Sequence, residues 1–401
     1  MLVRIYKSTP KGVLNAPPSK SYSHRYLIAA MLANNESTIS NIYFSNDVLA
    51  TLDCLSSFGC AYKKSFDSVS FYKNKTLNSK PVFNCNESGS TLRFMIPIAL
   101  TKYDEVTFVG KEKLISRGIG VYEDLFTKQG IKVNKNKDSI EIKGKLKSGV
   151  YEVDGSISSQ FVTGLLYALP LLDGDSEIKL LPPINSKNYI DMTLDVLSKY
   201  QIKFECKDNS IFIKGNQKYI AYDFEVEGDY SNAAFLDAFN YLGGDIKVNG
   251  LNKNSLQGDK IYVEYFKKLN EGNVTLDISN CIDLGPVLMV FASLKNGARF
   301  IGTSRLKIKE SDRALAIKQE LEKVHVKLDV FENEVVVHKY NLCEPSEAFN
   351  SHNDHRIAMA LSLLSTLYDV EILDAEAINK SYPHYYEELK KVGVKIDYET
   401  K

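Results

Sequence analysis

IKVNKNKDSIEIKG at residues 131–144 and IKFECKDNSIFIKG at residues 202–215 agree at seven of fourteen positions, 71 residues apart. Each reads as two short alternating stretches around a polar turn, Asn136-Lys137-Asp138 in the first and Lys207-Asp208-Asn209 in the second. That is a β-hairpin signal. A fainter copy lies 71 residues upstream, where Ser68, Val69 and Phe71 hold the matching places, and residues 326–338 repeat the pattern around Glu332-Asn333. An amphipathic helix pattern precedes each hairpin, at residues 48–58, 121–128, 190–200 and 314–324. Two more such stretches, 261–269 and 385–392, lack an equally clear hairpin. The implied unit is strand, helix, strand, helix and hairpin, about 70 residues long. It recurs about six times, three per half, with one shortened copy around residues 229–282. The expectation is an α/β chain of two similar halves.

A second periodicity runs through the first. Six apolar helix patterns open on polar or charged clusters: Ser19-Lys20-Ser21, Ser88-Gly89-Ser90, Ser158-Ser159-Gln160, Gly228-Asp229-Tyr230-Ser231, Ile282-Asp283-Leu284-Gly285 and Asn353-Asp354-His355-Arg356. A helix N-terminus exposes unpaired N–H groups and about half a positive charge, which suits phosphate or carboxylate. Such openings, several loaded with Lys, Arg and Ser, predict a protein that holds small, highly anionic molecules.

Composition narrows the class. The 401 residues are 44% apolar and 25% charged, with 50 basic and 50 acidic side chains. That suits a chain of two or three domains with substantial cores. A zero net charge gives no broad attraction to nucleic acid or membrane. The apolar runs are too short and too interrupted to span a bilayer, and Met1 to Lys11 lacks a signal-peptide core. Six scattered cysteines without Cys-x-x-Cys fit reduced thiols, so a cytoplasmic location is expected.

The clusters carry the chemistry. Pro17-Pro18 stops a strand and sets up a helix start, with Ser19 or Ser21 as cap and Lys20 at the positive end. A cation there is unfavourable unless an anion binds. Gly89, between hydroxyl residues, lets backbone approach a ligand, and no Walker A pattern occurs. Arg93 lies one turn inside and reads equally as a structural ion-pair partner; Arg117 follows in a loop. Ser158-Ser159-Gln160 offers several donors where capping needs only one. Lys309 and Arg313, four apart, are expected to share a helical face with an anion between them. His352-x-x-His355 invites a metal reading, discounted because no third ligand is evident and Arg356 repels a cation. Lys380, before Pro383, is expected in a loop.

Taken in order, these clusters resemble one family. Ser19-Lys20-Ser21 with Arg25, Gly89 with Arg93, Arg117, Ser158-Ser159-Gln160, Ser186 with Tyr189, Asp283 with Pro286, Lys309-Glu310-Ser311-Asp312-Arg313, Asp354-His355-Arg356 and Lys380-Ser381-Tyr382-Pro383 are similar to the motifs of 5-enolpyruvylshikimate-3-phosphate synthases, from about residue 10 to 390. The resemblance implies a two-domain inside-out α/β barrel with three βαβαββ repeats per domain. It puts the crossovers near residues 18 and 228, giving residues 1–18 plus 229–401 as a discontinuous domain and 19–228 as the second, with the active site in the interdomain cleft.

The implied reaction moves the enolpyruvyl group of phosphoenolpyruvate to the 5-hydroxyl of shikimate 3-phosphate and releases phosphate. By resemblance, Lys20, Gly89, Arg117, Gln160, Arg313, Arg356 and Lys380 surround phosphoenolpyruvate. Ser21, Arg25, Ser158, Ser159, Gln160, Ser186, Tyr189, Asp283 and Lys309 hold shikimate 3-phosphate. Asp283, Glu310 and Lys20 are the acid/base candidates, Asp283 taking the hydroxyl proton. No metal, nucleotide or other cofactor is required, no macromolecular partner is implied, a monomer is expected, and ligands are expected to draw the domains together. Gly118, Glu87 and Arg305 depart from the family pattern and bear on loop shape and inhibitor affinity; Gly89 leaves room that favours glyphosate. The sister transferase acting on UDP-N-acetylglucosamine typically has Lys-Asn where this chain has Lys20-Ser21, and a loop Cys where none occurs here between residues 86 and 205. A non-catalytic anion-binding relic would not need Asp283 and Glu310.

Overall fold

Five sheets share one plan, and in four of them a hairpin pattern written in the sequence supplies two of the strands. In the computed structural model, which describes residues 1–72, 80–339 and 341–399, each of these sheets has four strands: the first pair is parallel and the other two pairs are antiparallel. The hairpin at residues 131–144 forms strands Lys132–Lys135 and Ser139–Lys143, with Asn134 opposite Glu141. Its 71-residue copy forms Phe204–Lys207 and Ser210–Ile213. The patterns near residues 68 and 332 give Ala61–Lys64 with Val69–Tyr72, and Leu328–Val330 with Glu334–Val337. The shortened copy is a two-stranded parallel pair, Lys11–Asn15 with Asp245–Asn249.

The stretch at 385–392 does have a hairpin equivalent, but its arms lie at opposite ends of the chain. Leu2–Ile5 pairs antiparallel with Val370–Leu373 on one side and with Ile396–Glu399 on the other. Alternation at residues 2–5 cannot announce a partner nearly 400 residues away.

The chain divides into two compact units, Met1–Pro17 with Glu227–Lys401, and Pro18–Val226. Each holds two kinds of helix. Lys20–Leu32, Gly89–Leu100 and Ser159–Ala168 are buried almost all round in one unit. Tyr230–Asp237, Gly285–Ser293 and His355–Leu361 are their counterparts in the other. A helix apolar on every face belongs in a core. Asn46–Ser57, Gly120–Gln129 and Lys187–Lys199, by contrast, bury one stripe and expose the rest. Central helices wrapped by sheets and half-buried helices make each unit an inside-out α/β barrel. All six polar openings of the sequence belong to the central helices.

Two central helices, Gly89–Leu100 and Ser159–Ala168, approach closely at Gly164. A Cβ built there would lie 2.4 Å from the Arg93 carbonyl oxygen and 2.3 Å from the Tyr122 hydroxyl. That hydroxyl donates to the carbonyls of Arg93 and Phe161 at 2.7 and 2.9 Å. Only glycine lets these two helices cross so tightly, and the crossing brings Arg93 beside Gln160.

Candidate active site

Five of the six central helices begin at a side-chain cap. Ser19, Ser88 and Ser158 accept from the backbone N–H groups of Tyr22, Thr91 and Gln160. Asp229 and Asp354 do the same for Asn232 and Arg356. The Gly285 helix instead opens through a 3-10 turn, Ile282–Leu284. The expectation of six open anion sites is thereby trimmed: two of the ends already carry a carboxylate of the protein.

In the unit Pro18–Val226, Lys20 is the first residue of its helix, and its Nζ lies 2.8 Å from Asp47 Oδ2. Sequence reading named Lys20 but not Asp47, which looks like an ordinary acidic residue in a helix's first turn. Arg25 is buried and held by several neighbours. It donates to the carbonyl of Ser21 at 2.8 Å, the hydroxyl of Thr193 at 3.0 Å and the carbonyl of Tyr189 at 2.9 Å. It thus ties two predicted substrate residues, Ser21 and Tyr189, to one point. Ser186 begins the Lys187–Lys199 helix in a left-handed conformation with φ of 55°.

Gly89 has two guanidinium groups at its Cα. A Cβ there would stand 3.3 Å from both terminal nitrogens of Arg117 and 3.4 Å from Arg93 Nη1. Arg93 donates to Gln160 Oε1 at 2.6 Å, Gln160 Nε2 donates to Ser90 Oγ at 3.0 Å, and the Arg93 guanidinium lies 5.0 Å over the Phe161 ring. Two cations therefore converge on the positive end of a helix, a strong pull for an anion. Arg93 clamps Gln160 and also reaches the Gly118 carbonyl at 3.4 Å.

In the unit Met1–Pro17 with Glu227–Lys401, Asp283 is a hub. Its Oδ1 meets Lys309 Nζ at 3.1 Å and Arg313 Nη1 at 2.8 Å, and its Oδ2 meets Arg356 Nη2 at 3.4 Å. Arg313 also reaches Glu310 Oε2 at 2.7 Å and Asp354 Oδ2 at 2.9 Å. Ser311 donates to the same Asp354 oxygen, and Lys380 Nζ donates to the Asn353 carbonyl at 2.6 Å. Lys309 and Arg313 do not share a helical face. Lys309 ends a 3-10 turn, Arg313 begins the helix Arg313–Glu322, and the anion between them is Asp283 itself. Lys380 is not in an open loop but buried at the end of the 3-10 stretch Ala375–Lys380.

Electrostatics follow from that crowd. Burial pushes the Asp283 carboxyl up, but Lys309, Arg356 and Arg313 outweigh it and hold it well below the ordinary carboxylate range. Burial draws the Lys309 ammonium down despite Asp283. Asp259, which the sequence reading missed, accepts from Ser231 Oγ; burial and then nearby Asp283 raise it to about 7. The turn that presents Asp354 holds His352 and Asn353 at φ of 52° and 53°, left-handed without glycine. Glu320 pins it, accepting from the Asn350 N–H at 2.8 Å and pairing with His352 Nε2 at 2.6 Å. His352 is thus spent on Glu320, and His355 is buried beside Asp354.

Of the residues named from sequence, Lys309, Arg313 and Arg356 meet at Asp283 in one unit; in the other, Arg25 joins Ser21 and Tyr189, and Gly89 lies against Arg117 and the Arg93 that holds Gln160. The family description EPSP synthase (3-phosphoshikimate 1-carboxyvinyltransferase) matches residues 6–389. The chain is 42% identical to the 3-phosphoshikimate 1-carboxyvinyltransferase of Clostridium kluyveri and 38% identical to that of Clostridioides difficile, each comparison covering 98% of both proteins. Its fold matches an EPSP synthase from Acinetobacter baumannii with a TM-score of 0.81 at 19% identity, over 99% of this chain and 100% of the other. No helix among the described residues is long and apolar enough to cross a membrane.

Proposed function

We propose roles for the site residues from one premise: this chain belongs to the EPSP synthase family. It transfers the enolpyruvyl group of phosphoenolpyruvate to the 5-hydroxyl of shikimate 3-phosphate, a step of the shikimate pathway toward aromatic amino acids. The observation that carries the role assignment is the Asp283 hub, one carboxylate shared by Lys309, Arg313 and Arg356.

The reaction is an addition followed by an elimination. The 5-hydroxyl oxygen bonds to C2 of phosphoenolpyruvate as the methylene carbon gains a proton. The tetrahedral adduct then loses that carbon's proton and expels phosphate by C–O cleavage. Asp283 takes the hydroxyl proton. A carboxylate that Lys309, Arg356 and Arg313 hold far below its usual range is a weak base. Phosphoenolpyruvate brings a carboxylate and a phosphate that compete for Arg313, Arg356 and Lys380. Drawing Arg313 and Arg356 off Asp283 raises its basicity, so substrate binding itself prepares the base. Glu310 and Lys20 serve the methylene carbon. Arg313, which keeps Glu310 and Asp354 as partners when Asp283 is released, stays in place to stabilise the charge on the departing phosphate.

Ser158, Ser159, Gln160, Ser186, Tyr189, Ser21 and Arg25 hold shikimate 3-phosphate; Lys20, Gly89, Arg117 and Gln160 complete the phosphoenolpyruvate site with Arg313, Arg356 and Lys380. This reading needs residues 19–228 and the discontinuous domain 1–18 plus 229–401 to act on one substrate pair in an interdomain cleft, closing when ligands bind. We further propose a cytoplasmic monomer without a cofactor.

The test is phosphate release. Release with phosphoenolpyruvate plus shikimate 3-phosphate, and none with UDP-N-acetylglucosamine, supports the assignment. Release with the sugar nucleotide alone overturns it. An unchanged radius of gyration on saturation with shikimate 3-phosphate would rule out closure.

A further inference from the structure

We propose that a buried chain of hydrogen bonds, His24–Thr51–Thr91–Ser88, positions the starts of the Lys20 and Gly89 helices relative to each other and so sets affinity for phosphoenolpyruvate; the proposal rests on the reading of Lys20, Gly89 and Arg117 as ligands of that substrate.

The chain joins three helices of one unit. His24 Nδ1 lies 2.7 Å from Thr51 Oγ1, Thr51 Oγ1 lies 2.7 Å from Thr91 Oγ1, and Thr91 Oγ1 donates to Ser88 Oγ at 2.7 Å. All four side chains are at 1% exposure or less. His24 sits one turn into the helix that starts at Lys20. Thr51 lies one turn beyond Asp47, the partner of Lys20. Ser88 is the cap of the helix that starts at Gly89. One connected path thus runs between the two helix starts.

Proton counting gives the path a direction. As cap, Ser88 Oγ accepts from the Thr91 N–H at 3.2 Å and from the Thr91 hydroxyl. Thr91 has then used its only proton, so Thr51 donates to Thr91. Thr51 has then used its own, so His24 Nδ1–H donates to Thr51. The imidazole is therefore protonated at Nδ1. Its Nε2 is buried with no hydrogen-bond partner among the described residues. Burial, with Lys20 and Arg25 on the same helix, keeps the ring uncharged by lowering it to about 3. At the far end the Ser88 hydroxyl proton is unspent in this sequence of donors. Apolar residues of like volume could fill the same space at little cost. Hydroxyls instead fix the distances between helix ends, where a shift of about 1 Å can cost about a hundredfold in rate.

The test compares Thr51→Val, which breaks two links at constant shape, with Thr51→Ser, which keeps them. The expected result is a KM for phosphoenolpyruvate raised about tenfold in Thr51→Val, a KM for shikimate 3-phosphate within about twofold, and recovery in Thr51→Ser. Nitrogen-15 NMR of the unsubstituted enzyme should show His24 protonated at Nδ1 from pH 5 to 8. Arg117→Ala is the control for the underlying reading. If Arg117→Ala raises that KM and Thr51→Val does not, the chain is only structural and the proposal falls. If neither raises it, the reading of the phosphoenolpyruvate site falls and takes the proposal with it. A His24 protonated at Nε2 overturns the proposal whether or not the variants fold.

Discussion

Arg313 grips Asp354 with two nitrogens, Nε to Oδ2 at 2.9 Å and Nη2 to Oδ1 at 3.3 Å, and neither side chain is more than 1% exposed. The Asp354 carboxylate also caps the His355–Leu361 helix. Arg313→Ala would leave that carboxylate buried without its strongest partner, a change that costs about 3–5 kcal/mol. Arg313→Lys keeps the charge but loses the fork and should lose activity with a smaller stability cost. Urea denaturation of both variants measures the difference; a loss below about 1 kcal/mol in Arg313→Ala would contradict the role given to the pair.

Asp283→Asn should lower kcat by about 10²–10⁴, the range of a lost general base. The same change frees Lys309, Arg313 and Arg356 from a competing anion. Phosphoenolpyruvate should therefore bind no more weakly, and calorimetry on the inactive variant should find a Kd equal to or below that of the unsubstituted enzyme. Weaker binding together with near-normal kcat would reverse the assignment.

Gly89→Ala places a methyl 3.3 Å from both Arg117 terminal nitrogens and 3.4 Å from Arg93 Nη1. The two guanidiniums must yield by a few tenths of an ångström. The expected phenotype is a KM for phosphoenolpyruvate raised several-fold, kcat within about threefold, and an unaltered KM for shikimate 3-phosphate. Steady-state kinetics with each substrate varied in turn decide it.

Gly164→Ala tests the fold rather than the chemistry. The added methyl meets a backbone carbonyl at 2.4 Å and a doubly bonded tyrosine hydroxyl at 2.3 Å. Neither can swing aside, so the helices must separate. Overpacking of this kind costs about 1–3 kcal/mol or more. A melting temperature within a degree of the parent would show that the crossing is looser than described.

His24 makes stability pH-dependent with a definite sign. Its ordinary value of 6.5 falls to about 3 when burial, Lys20 and Arg25 act on it. Below 6.5 the unfolded chain binds a proton that the folded chain refuses, so unfolding becomes easier as pH falls toward 3. The effect is about 1.4 kcal/mol per pH unit, or about 2 kcal/mol at pH 5. His24→Asn should flatten the stability slope between pH 6.5 and 5 by about one proton; an unchanged slope would mean the imidazole is charged in the fold.

The hairpins were legible because alternation and a polar turn are local. The central helices were legible because apolar residues surround the whole cylinder and a polar opening precedes each one. The hairpin equivalent made with Leu2–Ile5 was not, since its pairing is written at both ends of the chain. At the site, residue types were legible and their pairings were not. Nothing in the sequence marks Asp47 as the partner of Lys20, and Arg93 reads equally as a structural partner. Lys309 and Arg313 looked like neighbours on one helix, whereas a helix boundary falls between them. Charge partners belong to tertiary structure, and spacing along the chain carries no record of them.

The strand Leu2–Ile5 lies between Val370–Leu373 and Ile396–Glu399. A ribosome releases these three segments at opposite ends of translation. Pro18–Val226 is contiguous and can compact while the remainder is still being made. The strand Leu2–Ile5 must wait on the order of twenty to eighty seconds for its neighbours, at about 5–20 residues per second. The nascent enzyme thus matures outward from Pro18–Val226, and the strand Leu2–Ile5 is among the last segments to find shelter.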